Sequence, residues 1–295
     1  KEQSKNSAVH WRFIVNPVGG GGAVRKRWPD IEAQLRAAGI AFDAVFTERK
    51  MHAAELAEAA IAEGRRHLVA VGGDGTAHEV ANGILRQTTC PPEEVTFTLM
   101  PVGTGNDWVK THRIPKNSRQ WVEFLKKGKP TFQDVGWLTY QDGGSEQKRY
   151  FINVAGLSYD AYVARRSEAY KMQLSSTIFY LLLIFRCLFE YRVPLHRVVF
   201  DGNTVEKPLY TINLGICRYS GGGLQLVPHA IPDDGLLALT LLLERSAGML
   251  KTALPDTTQH VLHGLVDRQC GCIEHNRILT GPERRNGTRG ITRIT

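Results

Sequence analysis

Three short stretches of this 295-residue chain are rich in glycine: Gly19 to Gly22, just after Asn16-Pro17, and two that add carboxylate, amide or hydroxyl side chains, Gly72-Gly73-Asp74-Gly75-Thr76 and Gly103-Thr104-Gly105-Asn106-Asp107. Glycine lets a backbone approach a ligand and adopt positive φ, so that successive N–H groups can face an anion. The chemistry that suits such stretches is the holding of phosphate groups. A single glycine turn is ordinary structure; three of them, each after an apolar run, point to phosphate. Asp74 lies between glycines, where a carboxylate close to phosphate is repelled unless a divalent cation lies between them. It is the candidate for organising Mg²⁺, against the plainer reading of an aspartate that bonds its own turn. Two large phosphate-binding classes drop out. No G-x-x-x-x-G-K-S/T occurs, and no G-x-G-x-x-G with a downstream acid follows the first apolar run.

These turns need elements to carry them. From Trp11 to about Thr111 the chain alternates short apolar runs, glycine-rich breaks and stretches of helical spacing, the pattern of βα units on a parallel sheet. Strands are expected at Trp11 to Val15, Ala41 to Phe46, His67 to Val71 and Thr96 to Met100, with helices ending near Gly39, Gly64 and Leu85. The glycine stretches then open at one edge of one sheet, where helix N-termini also point. Thr76 and Glu79 have the spacing of a capping box, placing a helix start just after the Gly72 to Gly75 turn.

Beyond a short Lys/Gly/Pro linker at Lys126 to Pro130, the pattern changes to strand-like alternation with turn signals, as in Arg197 to Phe200, Asp201-Gly202-Asn203, Leu209 to Leu214 and Gly235 to Leu243. The expected architecture is an α/β domain with a parallel sheet at 11–129, then an antiparallel β-sandwich domain at 130–274 with a helical insert near 167–191, then a basic, disordered tail at 275–295. The insert contains the longest apolar run, Ile178 to Phe185, far short of the ~20 residues a spanning helix needs. With Tyr170, Leu174, Phe179, Leu182 and Phe185 it reads either as a core helix or as an amphipathic one that holds an acyl chain or rests on a membrane.

Composition narrows the class. Hydrophobic residues make up 42% and charged ones 22%, which excludes disorder over most of the chain. The net charge of +8 favours anionic partners. The five cysteines (Cys90, Cys187, Cys217, Cys270, Cys272) are odd in number and sit mostly in apolar segments, so they read as reduced thiols of a cytoplasmic protein. A zinc reading of Cys270, Cys272 and His275 lacks a second ligand pair. Lys1 to His10 is polar, unlike a signal peptide, and reads as a frayed end.

Asn16-Pro17 with its glycines, the Gly-Gly-Asp-Gly-Thr box and Pro101 to Asp107 together resemble the diacylglycerol kinase catalytic domain family, which includes bacterial lipid kinases and sphingosine kinases. Phe151 to Gly156 with Asp160-Ala161, and Gly221-Gly222-Gly223 through Pro228, Asp234 and Gly235, are similar to that family's second-domain motifs. The likeness covers roughly residues 11 to 245. It implies ATP as the phosphoryl donor, a lipid hydroxyl as acceptor, and Mg²⁺. Carried onto this chain, it implies nucleotide contacts from Asn16, Thr47, Gly72, Gly73, Asp74, Gly75, Thr76, Gly103, Thr104 and Gly105, with Asn106 and Asp107 shaping the pocket. It also implies a second, structural Mg²⁺ on the Asp234 carboxylate and the carbonyls of Ile231 and Leu236.

The sequence departs from this family at its end. No Asp-Gly-Glu box, the family's source of the catalytic base, follows Glu274, and an Arg-rich stretch stands there instead. The break in composition reads as a displaced reading frame or a shortened gene end more than as natural divergence. Asp233, Asp234 and Glu274 are conceivable substitute bases, none of them assigned. The leading expectation is therefore an ATP-dependent lipid kinase with a diacylglycerol-like substrate. Its alternatives are an NAD kinase-like enzyme and a nucleotide-binding module without transfer activity. Expected partners are a lipid at the membrane surface and a second copy pairing as a homodimer, with no nucleic acid. Arg165, Arg166, Lys171 and Arg186 flank the apolar insert and read either as peripheral anchors at the inner membrane face or as a solvated basic face.

Overall fold

The computed structural model describes residues 9–103, 105–169, 177–243, 261–266 and 274–280. The chain divides into two compact units. The first begins with β1 (His10–Val15), α1 (Ala23–Ala37), β2 (Ala41–Phe46), α2 (His52–Ala62), β3 (His67–Gly72), α3 (Asp74–Arg86) and β4 (Thr96–Pro101). β1 pairs in parallel with β2 and β3, and β3 with β4, the βα alternation read from the sequence. Every residue of β4 is buried, as expected of an inner parallel strand covered on both faces. β2, at the sheet edge, has no fully buried residue.

Unit one continues through α4 (Trp108–Thr111), α5 (Ser118–Lys127) and a hairpin of β5 (Lys129–Asp142) with β6 (Ser145–Phe151). The unit reaches Ile152, so its division from the next lies beyond the expected change at 130. Amide side chains hold the hairpin there. Asn82 of α3 donates to the Tyr150 carbonyl (3.0 Å) and accepts from the Tyr150 N–H (3.1 Å). Gln133, fully buried, accepts from the Trp108 indole (2.8 Å) and donates to the Ile152 carbonyl (2.8 Å). Alternation identifies β5 and β6 as strands, but it carries no information on which sheet they join.

Unit two contains β7 (Val154–Ser158), α6 (Tyr159–Ala169), α7 (Thr177–Glu190), β8 (Leu195–Phe200), β9 (Asn203–Gly215), β10 (Leu237–Leu243) and β11 (Val261–Val266). Its sheet is antiparallel, in the order β11-β10-β9-β7, with β8 also on β9. Tyr159, Val163, Leu183, Cys187 and Tyr210 pack as a cluster that ties both helices to the sheet. α7 thus combines both readings of the apolar insert: Leu183 and Cys187 are buried, whereas Leu182, Phe185 and Phe189 are exposed.

The last described strand, β12 (Glu274–Thr280), returns to unit one and lies between β4, parallel, and β5, antiparallel. The sheet of unit one has the order β2-β1-β3-β4-β12-β5-β6. Residues 275–280, expected in a basic tail, are therefore a sheet strand; of the arginines that marked the tail only Arg277 falls within it. The remainder of that expected tail, with Cys270, Cys272 and Lys171, lies outside the described residues. Among these residues, no helix is long and apolar enough to cross a membrane.

Candidate functional site

The chain leaves β1 at Asn16 and turns through Gly20, Gly21 and Gly22, whose φ values of 59°, 66° and 86° suit glycine. Gly22 caps α1 from the left-handed region. A Cβ on Gly20 would lie 2.6 Å from the Val102 carbonyl oxygen, so the first turn rests directly on the segment after β4. Asn16 fastens the first turn to the second by donating to the Thr76 hydroxyl (3.1 Å). Its own N–H donates to the Val71 carbonyl (3.0 Å). The third turn joins the second through the Val102 N–H and the Gly72 carbonyl (2.7 Å). Gly103 and Gly73 approach so closely that a Cβ on Gly103 would meet the Gly73 Cα at 3.2 Å. Thr47 directly follows β2 at the same edge, its N–H donating to the Val15 carbonyl (2.9 Å).

The three stretches are thus one assembly at the C-terminal edge of the parallel strands. Gly73 caps α3, and the amides of Asp74 and Gly75 stand in its first turn, where the helix supplies no acceptor. Together with the helix dipole they make an anion-facing edge. Of the expected contacts, Asn16, Thr47, Gly72, Gly73, Asp74, Gly75, Thr76, Gly103, Gly105, Asn106 and Asp107 belong to these turns or the strand ends beside them. Thr104 lies outside the described residues.

Thr76 forms no capping box with Glu79. α3 begins two residues earlier, at Asp74, so Thr76 stands inside the first turn and takes the Asn16 amide. Glu79 accepts instead from the Ala53 N–H (3.3 Å).

Asp74 has a structural task that local reading could not supply. Its Oδ2 accepts the Asp107 N–H (3.0 Å) and its Oδ1 the Trp108 N–H (3.1 Å), joining the second turn to the start of α4. Burial pushes its pKa up, and the two backbone bonds act against that rise. Each carboxylate oxygen keeps a further lone pair. Asp74 therefore fits a Mg²⁺ carried in on phosphate oxygens, the usual mode of that ion, better than a protein-only cage. Among the described residues, no group of three or more His, Cys, Asp or Glu side chains could hold a metal.

Asp107 is 4% exposed and also makes two bonds. Its Oδ1 accepts from Lys110 Nζ (2.6 Å) and its Oδ2 from the Gly222 N–H (2.7 Å). Gly221–Gly223 consequently belongs to unit one, although its chain neighbours belong to unit two. These glycines have φ of 65°, 89° and 112°. Asn106, at φ 50°, donates to the Gly103 carbonyl (2.7 Å), and its buried Oδ1 has no partner among the described residues. That orphaned acceptor lies 3.0 Å from where a Gly103 Cβ would stand, so it borders the turn assembly and awaits a donor. Lys110 was missed in the sequence; its spacing three residues after Asp107 on a short helix was the available signal.

Ile231, Asp234 and Leu236 lie in unit two. Asp234 Oδ1 accepts the Leu236 N–H (2.9 Å) across Gly235, at φ 80°. It is the amide of Leu236 that faces the carboxylate, as in a tight aspartate turn.

Comparison with known proteins agrees with this architecture. Residues 10–138 match the diacylglycerol kinase catalytic domain, and residues 153–271 match the YegS C-terminal NAD kinase beta sandwich-like domain. Diacylglycerol kinases of Staphylococcus aureus strains JH9 and Newman are each 29% identical over 235 residues, covering 80% of this chain and 70% of theirs. A crystal structure of a diacylglycerol kinase from Bacillus anthracis str. Sterne superposes with a TM-score of 0.64 at 21% identity, over 98% of this chain and 93% of that one. A second solved chain from the same organism gives 0.68 at 18% identity, over 94% and 99%. In sequence order, the chain thus carries a diacylglycerol kinase catalytic domain at residues 10–138 and a YegS C-terminal NAD kinase beta sandwich-like domain at residues 153–271.

Proposed function

We propose that this protein is an ATP-dependent lipid kinase that transfers the γ-phosphoryl group to the hydroxyl of a diacylglycerol-like lipid. The observation that carries the reading is the fastening of three glycine turns into one anion-facing edge, by Asn16–Thr76, Gly72–Val102 and Asp74–Asp107/Trp108. The α3 first-turn amides would hold phosphate oxygens, and the partnerless Asn106 Oδ1 would accept a donor such as an adenine amino group or a ribose hydroxyl. A Mg²⁺ brought in with the nucleotide would neutralise phosphate charge, and Asp74 is the carboxylate that would help to hold it. Phosphoryl transfer through a loose transition state depends mainly on positioning and charge stabilisation, which fixed backbone amides provide.

The exposed face of α7, with Leu182, Phe185 and Phe189, supports access to the lipid from a membrane surface. Arg165 and Arg186 on the two helices add charge that favours anionic headgroups. One sequence feature favours a second reading. No Asp-Gly-Glu triplet follows Glu274, so a nucleotide-binding module without transfer activity stands as the rival.

The test is an ATP-binding titration run beside transfer of radiolabelled phosphate to diacylglycerol, phosphatidylglycerol, monoacylglycerol, a sphingoid base and NAD. Labelled lipid supports the proposal. Binding without any labelled product supports the module, labelled NAD overturns the lipid acceptor, and no binding overturns both.

A further inference from the structure

Unit two holds a serine, a histidine and a backbone carbonyl in an arrangement that the kinase reading does not use. β7 ends on Ser158, and α6 starts at the next residue. Ser158 has φ 68°, a region that a serine rarely occupies. β9 pairs with β7 along residues 211–215 and with β8 along residues 203–208. The chain therefore leaves the sheet at Ser158 for the helical excursion and returns at Leu195, which brings His196 beside Ser158. Ser158 Oγ lies 2.6 Å from His196 Nε2, and His196 Nδ1 lies 3.0 Å from the Pro194 carbonyl oxygen. A carbonyl only accepts, so Nδ1 carries the ring proton. Nε2 of the neutral imidazole then has a lone pair, into which the serine hydroxyl donates. A nucleophile, a base and a group that orients the base are thus in sequence. The nucleophile stands on a sharp strand-to-helix turn, with the positive end of α6 directly behind it.

We propose that Ser158 and His196 form a nucleophilic dyad that hydrolyses carboxylic esters of acyl chains. Ser158 Oγ bonds to the ester carbonyl carbon while its proton passes to His196 Nε2. The C–O bond to the alcohol breaks, and His196 returns the proton to the leaving oxygen. Water then attacks the acyl-serine with His196 again taking the proton, which goes back to Ser158 as the acid departs. Ester and water become acid and alcohol, with no oxidant or cofactor involved.

The acyl preference follows from the surroundings. Tyr159, the residue after Ser158, donates its hydroxyl to the Ile184 carbonyl (2.6 Å), which fastens the second half of α7 near the dyad. On the solvent face of that half, away from the buried Leu183 and Cys187, Phe185 and Phe189 pack ring to ring at 5.3 Å while 62% and 58% exposed, an apolar strip on the same helix. The Asp160 carboxylate is engaged elsewhere, accepting the Thr211 hydroxyl (2.8 Å). The dyad lies wholly within unit two, so it stands or falls apart from the nucleotide site.

The full-length protein should be treated with a fluorophosphonate probe and assayed with p-nitrophenyl butyrate, p-nitrophenyl octanoate and dioctanoylglycerol. The expected result is a single adduct on the peptide containing Ser158, with turnover of the octanoate exceeding that of the butyrate. Ser158→Gly accepts the positive φ and so keeps the fold, which circular-dichroism melting would verify. It should lose the adduct and at least 100-fold of the turnover while ATP binding is unchanged. His196→Gln, which can still bond Ser158, should lose a similar factor. Absence of the adduct, turnover that persists in Ser158→Gly, or full activity in His196→Gln would each overturn the proposal.

Discussion

Asp107 is the joint at which the third turn, Lys110 and the Gly221–Gly223 segment meet, and two substitutions take its bonds apart. Asp107→Asn keeps an oxygen for the Gly222 N–H (2.7 Å) and removes the charge partner of Lys110 (2.6 Å). Asp107→Ala removes both. A bond to a charged group contributes roughly 1.5–3 kcal/mol. Both donors reach water here, since Lys110 is 27% exposed and Gly222 is exposed, so each loss is discounted by about half. The expected cost is about 1 kcal/mol for asparagine and about 2–3 kcal/mol for alanine. All five tryptophans (Trp11, Trp28, Trp108, Trp121, Trp137) lie in unit one, so fluorescence melting reports that unit alone. For a unit of this size the costs correspond to midpoint shifts of about 2–4 °C and about 5–10 °C. Amide exchange at Gly222 should accelerate in the alanine variant and stay slow in the asparagine one. Equal shifts in the two variants, or unchanged exchange at Gly222 in Asp107→Ala, would refute the joint.

Other substitutions probe the same edge. Asp74→Asn turns an NH₂ toward one of the two backbone donors, at a cost of roughly 1–3 kcal/mol by fluorescence melting. Because burial raises the Asp74 pKa, its stabilising share is complete below the ordinary carboxylate range and is lost as pH rises through the raised value. The wild-type margin over Asp74→Asn should therefore shrink with rising pH; a growing margin contradicts this. Gly20→Ala meets the Val102 carbonyl as well as an unfavourable φ and should cost about 3 kcal/mol. Gly21→Ala, with open space around its Cβ, should cost only about 1 kcal/mol. Equal urea midpoints for these two would remove the close contact from the account. Burial holds the pKa of His112 and His78 down at about 4. The unfolded chain then takes up protons near pH 6.5 before the folded one does, so stability present above 6.5 is lost as pH falls to about 4. His112→Gln should flatten part of that decline in the fluorescence midpoint, and an unchanged slope would refute the assignment.

Much of unit one was legible from local signals. Apolar runs bounded by glycine placed β1 to β4 within a residue or so, because strand length, helical spacing and positive-φ turns are each set within a few neighbouring residues. That the glycine turns stand together follows from parallel strands sharing a direction. What fastens them was not legible. Asn16 and Thr76 are 60 residues apart, Asp74 and Asp107 33, and Asp107 and Gly222 115. Reading Asp74 beside its neighbours suggested an ion. Only the folded chain revealed the two amides it holds, because hydrogen-bond partners at such separations are chosen by which elements pack together.

The same limit governed the sheets. The alternation that marks β5, β6 and β8 specifies a strand and its two faces, but any sheet edge could accept its backbone groups. Burial of Gln133 and the clasp of Asn82 on Tyr150 settled the hairpin's place in unit one. The return of β8 beside the end of β7 likewise brought His196 to Ser158, 38 residues away. Local preferences belong to the sequence by itself; which distant polar groups become neighbours is decided when burial of the apolar faces selects one packing, and buried donors and acceptors must then find each other.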